Sequence, residues 1–263
     1  EIMAITDEVS VMRQGKMVAN TLTKHTSPEM LAEQMVGRSV LVNNKYELQS
    51  IGKVVLSAEQ LGVVDKRGFD SLKNATFDLH AGEILGIAGI AGNGQSELLS
   101  VLSGITQPSS GFFKIEEHLF DAKKNPNPRL MRQLGVSHVP EDRHSEGLVL
   151  QFQAFESVIL GYENNKKLGN GFFTNPDTIQ AYCSQLQESF DVRPQNPRLY
   201  SSQFSGGNQQ KLVLSREISS TPKILLVGQP TRGVDIGAIE FIHKTLIGMR
   251  NNGCAILLVS VEL

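Results

Sequence analysis

The sequence has few cysteines, no excess of either charge and no long apolar run. Its two cysteines, Cys183 and Cys254, match no metal-binding or redox spacing, so reduced thiols are expected. The formal net charge of −2 provides no basic field, and nucleic acid is therefore not an expected partner. No apolar run reaches the roughly 20 residues that a helix needs to span a bilayer, and no signal peptide is recognisable.

The 263 residues, of which 40% are hydrophobic, are enough for one large domain with a buried core. Strand candidates alternate with helix candidates, which predicts an α/β domain with a largely parallel sheet. The region from about 152 to 199 is more helical and is interpreted as an insertion, with helix candidates at 154–162 and 176–190. The strand candidates are residues 53–61, 72–80, 83–88, 112–115, 136–140, 223–227 and 255–259.

A glycine-rich turn lies between an apolar strand candidate and a helix candidate. Residues 89–96 read Gly-Ile-Ala-Gly-Asn-Gly-Gln-Ser, the Gly-x-x-x-x-Gly-x-Ser spacing of a phosphate-binding loop. Backbone N–H groups of such a loop converge on phosphate, and the helix N-terminus adds partial positive charge. Where the pattern has lysine this chain has Gln95, so the loop lacks its cation. The predicted nucleotide-binding residues are Gly89, Gly92, Asn93, Gly94, Gln95, Ser96 and Glu97.

A second glycine-rich segment lies after the helical insertion. Residues 205–211 read Ser-Gly-Gly-Asn-Gln-Gln-Lys, which resembles the signature motif of ABC transporter ATPases. The resemblance extends over residues 53–263 and implies a P-loop NTPase core with an antiparallel β subdomain and a helical insertion. The chain is most similar to the second nucleotide-binding domain of double-domain ATPases of sugar and nucleoside importers. Pro-Glu-Asp-Arg at 140–143 is typical of that branch, and Gly-Gln-Pro-Thr-Arg-Gly at 228–233 is closer to nucleoside importers.

The resemblance also implies a domain organisation. Residues 1–40 are similar to the tail that follows the switch histidine in a first nucleotide-binding domain. Residues 41–52 are then a linker, and residues 53–263 are a second domain that lacks its own tail, with a helical subdomain at about 145–205. Because the two tails resemble each other in such proteins, the first could dock beside the strand at 255–259, within the chain or in a swapped dimer.

By the same resemblance, the nucleotide site of this domain is degenerate. Gln95 replaces the lysine, and an amide lacks the charge that meets the β- and γ-phosphates. Gly228 and Gln229 stand where the family has a metal-orienting aspartate and the glutamate that polarises the attacking water. Val261 stands at the switch histidine, and Glu141 stands at the Q-loop glutamine, which contacts the metal and the membrane subunit. Slow hydrolysis or none is expected at this site.

The signature motif, in contrast, is intact. The Ser205 hydroxyl and the amides of Gly206 and Gly207, at the start of a helix, can face a γ-phosphate. In this family ATP lies between the loop of one domain and the signature of the other. The signature is therefore expected to complete the site of a first domain, in the same chain or in a second copy. The remaining positions implied are Asn208 and Gln209 in the signature, Asp235 in the D-loop and as a helix N-cap, and Ser96 as a Mg²⁺ ligand.

Two functions remain open on these residues. The first is an importer subunit for a sugar or nucleoside that uses ATP and Mg²⁺ and contacts permease subunits, and indirectly a substrate-binding protein, on the cytoplasmic face of the membrane. This chain alone would then hydrolyse little or no ATP. The alternative is a regulatory or scaffold domain that keeps ATP at 89–96 as a structural ligand. No aromatic residue at 61–64 is available to stack on adenine.

Overall fold

The computed structural model describes residues 2–13, 15–37, 50–65, 67–163, 168 and 175–261. The strands are β1 (Glu8–Arg13), β2 (Lys16–Leu22), β3 (Val54–Val64), β4 (Asp70–His80), β5 (Ile84–Ala88), β6 (Ser110–Ile115), β7 (His118–Asp121), β8 (Val136–Val139), β9 (Ile224–Gly228) and β10 (Ala255–Ser260). The helices are α1 (Ile2–Ile5), α2 (Pro28–Val36), α3 (Gln95–Leu102), α4 (Pro128–Gln133), α5 (Ala154–Ser157), α6 (Pro176–Ser189), α7 (Gly206–Ile218) and α8 (Ile236–Asn251).

A four-stranded parallel sheet in the order β5–β10–β9–β8 forms the centre of the domain. Strand β9 is buried along its whole length, as its continuous apolar run predicts. All four strands run in the same direction, so their carboxyl ends lie along one edge of the sheet. The residues that follow β5, β8, β9 and β10 therefore meet at this edge, where ligands bind in open α/β sheets.

A second sheet is antiparallel and has the order β4–β3–β6–β7. It contains the predicted strands at 53–61 and 72–80, each somewhat longer than predicted. Its buried face and the parallel sheet share one apolar core, in which Phe113 stacks on Phe120 at 5.0 Å between ring centroids. The expected antiparallel β subdomain is therefore present, and β4 leads directly into β5 and the phosphate loop.

Polar side chains define where several helices begin. Ser27, Asn127 and Asn175 each precede a proline and accept a backbone N–H from the first turn of α2, α4 and α6. Asp235 caps α8 in the same way, because its carboxylate accepts the Ala238 N–H at 2.9 Å. The predicted N-cap is thus confirmed. Among the helices in the described ranges, none has the length and apolarity that crossing a bilayer requires.

The helical insertion contains less helix than predicted. Helix α6 matches the candidate at 176–190, but α5 covers only Ala154–Ser157 of the candidate at 154–162. The prediction is wrong beyond residue 157 because the chain turns there, and Gly161 adopts a left-handed φ of 81°. Residues 164–167 and 169–174 of this subdomain lie outside the described residues.

The N-terminal segment forms a small unit of its own. Strands β1 and β2 pair with each other, and their cluster of Val9, Val11 and Leu31 ties the hairpin to α2. Within the described part of this chain the hairpin does not join the parallel sheet, so docking beside β10 is not found here. Instead, Val36 of α2 lies against Gly237 of α8. Docking in a swapped dimer stays a prediction, and the predicted linker lies mostly outside the described residues.

Candidate functional site

The phosphate loop joins β5 to α3 as the glycine spacing predicts. Gly92 and Gly94 adopt left-handed φ angles of 89° and 96°, which side chains with a Cβ rarely tolerate. Gly94 also leaves no room for a side chain, because a Cβ there would lie 2.6 Å from the Ser71 carbonyl oxygen of β4. The Leu98 N–H donates to the Gly94 carbonyl at 2.9 Å, so α3 begins at the last residue of the loop.

The side chain of Gln95 turns back into the loop. It is only 7% exposed. Its Oε1 accepts the Asn93 N–H at 3.0 Å, and its Nε2 donates to the Ile90 carbonyl at 3.0 Å. One of the amides predicted to hold phosphate is therefore already engaged by an uncharged side chain. A phosphate that reached this amide would have to displace the carboxamide of Gln95.

Ser96 and Glu141 meet beside the loop. The Ser96 hydroxyl donates to Glu141 Oε2 at 2.6 Å. Gly228, at the end of β9, lies directly behind the Glu141 side chain, because a Cβ on Gly228 would be 2.5 Å from Glu141 Cγ. Glu141 therefore contacts both Ser96 of the phosphate loop and Gly228 at the end of β9, as expected for residues at one edge of the sheet.

Gln229 and Val261 are joined by a hydrogen bond that sequence reasoning did not predict. The Gln229 side chain is 7% exposed, and its Oε1 accepts the Val261 N–H at 3.1 Å. Its backbone N–H donates to the Val259 carbonyl at 2.9 Å. Gln229 thus links the ends of β9 and β10 and offers no basic group to an attacking water, while Val261 contributes only backbone.

The signature motif lies at the start of α7. Ser205 is exposed and occupies the N-cap position. Asn208 Nδ2 donates to Ser205 Oγ at 2.8 Å, and Asn208 Oδ1 accepts the Arg193 N–H at 2.7 Å. Gln209 points inward and donates to the Ser201 carbonyl at 2.9 Å. The serine hydroxyl is therefore held in place by Asn208 and keeps its own proton to donate to a ligand.

Arg143 connects the signature to the D-loop. Its Nη1 donates to the Arg232 carbonyl at 2.9 Å, and its Nη2 lies 3.5 Å from the Gly233 carbonyl. The same guanidinium lies against the signature, since a Cβ on Gly206 would be 2.8 Å from Arg143 Nη2. Sequence reasoning noted the Pro-Glu-Asp-Arg run but assigned a role only to Glu141. The run itself was the available signal, because the guanidinium of a half-buried arginine needs carbonyl or carboxylate partners.

A single π-helical turn, Arg143–Gly147, fixes these contacts relative to one another. Asp142 caps the turn by accepting the N–H groups of His144 at 2.9 Å and Ser145 at 3.4 Å. The hydrogen bond from the His144 backbone lowers the pKa of Asp142. His144 Nε2 in turn donates to Gln209 Oε1 at 2.8 Å. The segment that contacts Ser96 is therefore bonded to the signature helix as well.

The sequence profile of the ABC transporter family matches residues 72–232, more than half of the chain. The chain belongs to the ABC transporter family. The matched region runs from β4 to the loop after β9, so it includes the phosphate loop, the π-helical turn and the signature motif.

Curated relatives match nearly the whole of this chain. The nucleoside import ATP-binding protein NupA of Lactococcus lactis subsp. cremoris is 41% identical over 100% of this chain and 51% of its own length. The guanosine import ATP-binding protein NupO of Bacillus subtilis is 38% identical over 98% and 50%, respectively. The ribose import ATP-binding protein RbsA of L. lactis subsp. cremoris is 34% identical over 100% and 51%. The chain thus spans about half the length of these relatives.

Solved structures establish the fold. The ATP-binding cassette MJ0796 in a dimeric post-hydrolysis state with ADP and Pi has a TM-score of 0.66 and 20% identity, covering 78% of this chain and 87% of that chain. A nucleotide-free ATP-binding cassette from an ABC transporter has a TM-score of 0.63 and 17% identity, covering 80% of this chain and 83% of that chain. The predicted P-loop NTPase core of the ABC ATPase type is thereby confirmed.

An exposed aromatic residue lies in the turn that precedes β4, although residues 61–64 provide none. Phe69, 66% exposed, stands at the turn between β3 and β4, two residues before the Ser71 carbonyl that backs onto Gly94. The Asp65 carboxylate fixes this turn by accepting the N–H groups of Arg67 and Phe69 at 2.8 and 3.0 Å. Sequence reasoning missed this residue because it searched the first strand of the hairpin and not the turn. The Arg67 guanidinium lies over one face of this ring, 5.7 Å from its centroid. An exposed aromatic face is suited to stacking on a base.

A polar cavity of about 290 Å³ adjoins Ser96 and Glu141. Burial, together with the carboxylates of Asp142 and Glu141, raises the pKa of Glu146 in its wall. Burial also lowers the pKa of His138 to about 4, so this ring is neutral near pH 7. No cluster of three or more His, Cys, Asp or Glu side chains in the described ranges could form a complete metal cage. The hydroxyl and carboxylate oxygens of Ser96 and Glu141 do suit Mg²⁺, which takes few protein ligands and completes its shell with phosphate and water.

Replacement of Gln95 by lysine is expected to tighten ADP binding to this chain about tenfold. An ammonium group contributes a charge-assisted hydrogen bond to phosphate, about 1.5–3 kcal/mol, that an amide cannot. Titration calorimetry of the 263-residue chain measures the difference. The matched control is Gln95→Met, which frees the Asn93 N–H without adding a charge. Equal ADP affinities of the lysine and methionine variants would contradict the expectation.

Proposed function

We propose that this chain is the ATP-binding portion of an ABC importer that takes up a sugar or nucleoside. Support comes from the functions of its relatives, which are import ATP-binding proteins for nucleosides, guanosine and ribose. The 41% identity to the nucleoside importer exceeds the 37% identity to a glucose importer and the 34% identity to the ribose importer, which favours a nucleoside over a sugar. The permease and the substrate-binding protein, rather than this chain, select the transported molecule in this proposal.

The observation that carries the proposal is the contrast between an intact signature and a degenerate site. Ser205 is exposed at the N-terminus of the long helix α7, where a hydroxyl, backbone amides and the helix dipole all favour an anion. In the domain's own site, the carboxamide of Gln95 stands in place of the lysine. Gln229, which is hydrogen-bonded to the Val261 N–H, stands in place of the glutamate that would polarise the attacking water. The signature therefore serves the competent site of a first domain, in the same protein or in a second copy.

The domain's own site is proposed to bind nucleotide and not to hydrolyse it at a useful rate. Loss of a general base alone reduces a rate by about 10²–10⁴. Loss of the lysine removes a further cation that stabilises charge on the transferring phosphoryl group.

The proposed assembly is peripheral to the membrane, on its cytoplasmic face. The helical insertion and the region around Glu141 contact the permease subunits, and the substrate-binding protein is coupled to this chain only through them. Tail residues 1–40 belong to the preceding domain in this proposal, and residues 53–263 are the second nucleotide-binding domain. Nucleic acid is not a proposed partner.

The test is ATP hydrolysis by this chain mixed with a nucleotide-binding domain that has an intact loop lysine and, at the positions of Gly228 and Gln229, the aspartate and the glutamate. The chain alone is expected to be inactive, and mixing is expected to stimulate hydrolysis. Ser205→Ala should reduce the stimulated rate about tenfold, the effect of one hydrogen bond to a charged group. Ser202→Ala, an exposed serine in the turn before the signature, is the control and should keep the full rate. Equal rates for both variants would favour the scaffold function.

A further inference from the structure

The loop that follows α6, residues 191–193, lies against the signature helix. Asp191 adopts a left-handed φ of 48°, so the chain turns away from α6 at this residue. Val192 is fully buried in the apolar cluster of the helical insertion, and its N–H donates to the Gln187 carbonyl at 2.8 Å. The loop is therefore anchored to the insertion.

A lysine of the signature helix holds the same loop. Lys211 Nζ donates to the Asp191 carbonyl at 2.8 Å and to the Asp191 carboxylate at 3.2 Å. The ammonium also lies over the Phe241 ring of α8, 4.8 Å from its centroid. Because the Lys211 side chain is only 11% exposed, its charge needs these partners. Lys211 follows Asn208 by three residues, so both side chains lie on the same face of α7.

The loop in turn determines which way the Asn208 carboxamide points. The Arg193 backbone N–H donates to Asn208 Oδ1 at 2.7 Å. A backbone N–H can only donate, so the carboxamide oxygen must face the loop, and Nδ2 then faces Ser205 Oγ at 2.8 Å. Since Nδ2 is likewise only a donor, Ser205 Oγ is the acceptor in this contact, and its own O–H points elsewhere.

The Ser205 side chain does not cap its own helix in the described part of the chain. A serine at an N-cap position usually accepts the N–H of the second or third helical residue. The Ser205 hydroxyl makes no such bond, and it accepts from the Asn208 side chain instead. Ser205 therefore leaves the first-turn N–H groups of α7, as well as its own proton, to an anion that approaches the helix N-terminus.

We propose that Lys211 and the loop 191–193 position the signature serine. Lys211 fixes the backbone at Asp191, the N–H of Arg193 orients Asn208, and Asn208 holds Ser205 as a hydrogen-bond donor toward the terminal phosphate of a nucleotide bound by the other domain. Lys211 and the loop touch no nucleotide in this proposal and act only through Ser205. The inference rests on the proposed function, because it concerns the site that the signature completes.

The test is a double-mutant cycle in the ATP hydrolysis of this chain mixed with the competent domain. Lys211→Met removes both hydrogen bonds to Asp191 and should lower the stimulated rate about three- to tenfold, at most as much as Ser205→Ala, since one hydrogen bond to a charged group is affected. In the Ser205→Ala background, Lys211→Met should have almost no further effect, because residues that act through one another are not additive. Lys211→Arg keeps a cationic donor for Asp191 and should restore most of the rate. The control is Lys223→Met, which removes an exposed lysine and should keep the full rate.

A second measurement needs no partner domain. The Arg193 N–H belongs to an exposed residue and is bonded to a side chain, so its protection reports the contact with Asn208. Hydrogen exchange followed by NMR in the 263-residue chain should show this N–H protected in the wild type and exchanging about tenfold faster in Lys211→Met. If circular dichroism shows that Lys211→Met does not fold, Asn208→Ala replaces it in both measurements with the same expected results, because it breaks the contact with Arg193 directly.

The possible outcomes separate this inference from the proposed function. If Lys211→Met lowered the rate by the same factor with and without Ser205, Lys211 would only support the insertion, and the inference would be overturned. An unchanged rate, or unchanged exchange of the Arg193 N–H, would overturn it as well. A full rate for Ser205→Ala would instead overturn the proposed function, and the inference with it.

Discussion

Replacement of Gly206 by alanine will reduce stimulated ATP hydrolysis about 100-fold. The new Cβ would lie 2.8 Å from Arg143 Nη2 and 2.9 Å from the Gly233 carbonyl oxygen. The arginine head can rotate away, but the carbonyl belongs to the backbone between β9 and α8, so the signature or the D-loop must shift. A displacement of about 1 Å in a group that contacts the reacting phosphate can reduce a rate by on the order of 10².

The matched control is Gly248→Ala in α8. Apart from the backbone of its own helix and its chain neighbours, no atom of the described residues lies within 4 Å of a Cβ built on Gly248, which is in the last turn of α8. Alanine there should keep the full stimulated rate and stabilise the fold by up to about 1 kcal/mol. The rate is measured in the mixture with a competent domain, and circular dichroism shows whether each variant folds. A Gly206→Ala rate within threefold of the wild type would show that the contact with Gly233 does not position the signature.

The elements that could be predicted from the sequence are those with local causes. The phosphate loop follows from glycines that need left-handed φ angles between a strand and a helix, and Gly92 and Gly94 have them. The buried strand at 223–227 follows from an uninterrupted apolar run. The cap at Asp235 follows from a carboxylate before a helix. Each signal lies within a few residues of the structure that it predicts.

Contacts between distant segments could not be predicted in the same way. The Arg143 guanidinium meets carbonyls about 90 residues away, and nothing in the residues near Arg143 indicates which backbone groups it will contact. The side chains of Gln95 and Gln229 illustrate the same limit. Sequence reasoning identified both as substitutions that remove chemistry, whereas the fold gives each a structural role in bonding backbone groups. Tertiary packing decides such orientations.

The predicted helix at 154–162 failed for a related reason. Its apolar spacing suits a helix, but Val158 and Ile159 pack in a cluster of the helical insertion while the chain turns at Gly161. Arg132 of α4 lies against Gly161, so a Cβ there would meet its guanidinium. An apolar spacing of this kind predicts that residues are buried, but burial does not require a helix. Here the apolar residues are buried, and packing against α4 favours a turn.

Replacement of Arg216 by methionine will destabilise the fold by about 3–5 kcal/mol, the usual effect of removing one partner from a buried ion pair. Arg216 Nε donates to Glu217 Oε1 at 2.8 Å, and the two side chains are 6% and 2% exposed. Arg216 Nη1 also donates to the carbonyls of Gly147 at 2.8 Å and Ser157 at 3.1 Å. Methionine would leave the Glu217 carboxylate buried with the Tyr162 hydroxyl, at 2.7 Å, as its remaining donor.

The position of this ion pair gives the prediction a second readout. Arg216 lies at the end of α7 and holds both the π-helical turn and the start of the helical insertion, so its loss should also lower stimulated ATP hydrolysis. Urea unfolding followed by circular dichroism measures the stability. Lys223→Met is the control, because Lys223 forms an ion pair with Glu116 at 2.8 Å in which the side chains are 61% and 37% exposed. Such exposed pairs contribute about 0–1 kcal/mol. If Arg216→Met and Lys223→Met lowered the free energy of unfolding equally, burial would not explain the contribution of Arg216 to stability. Contacts other than those of Arg216 would then have to connect α7 to the helical insertion.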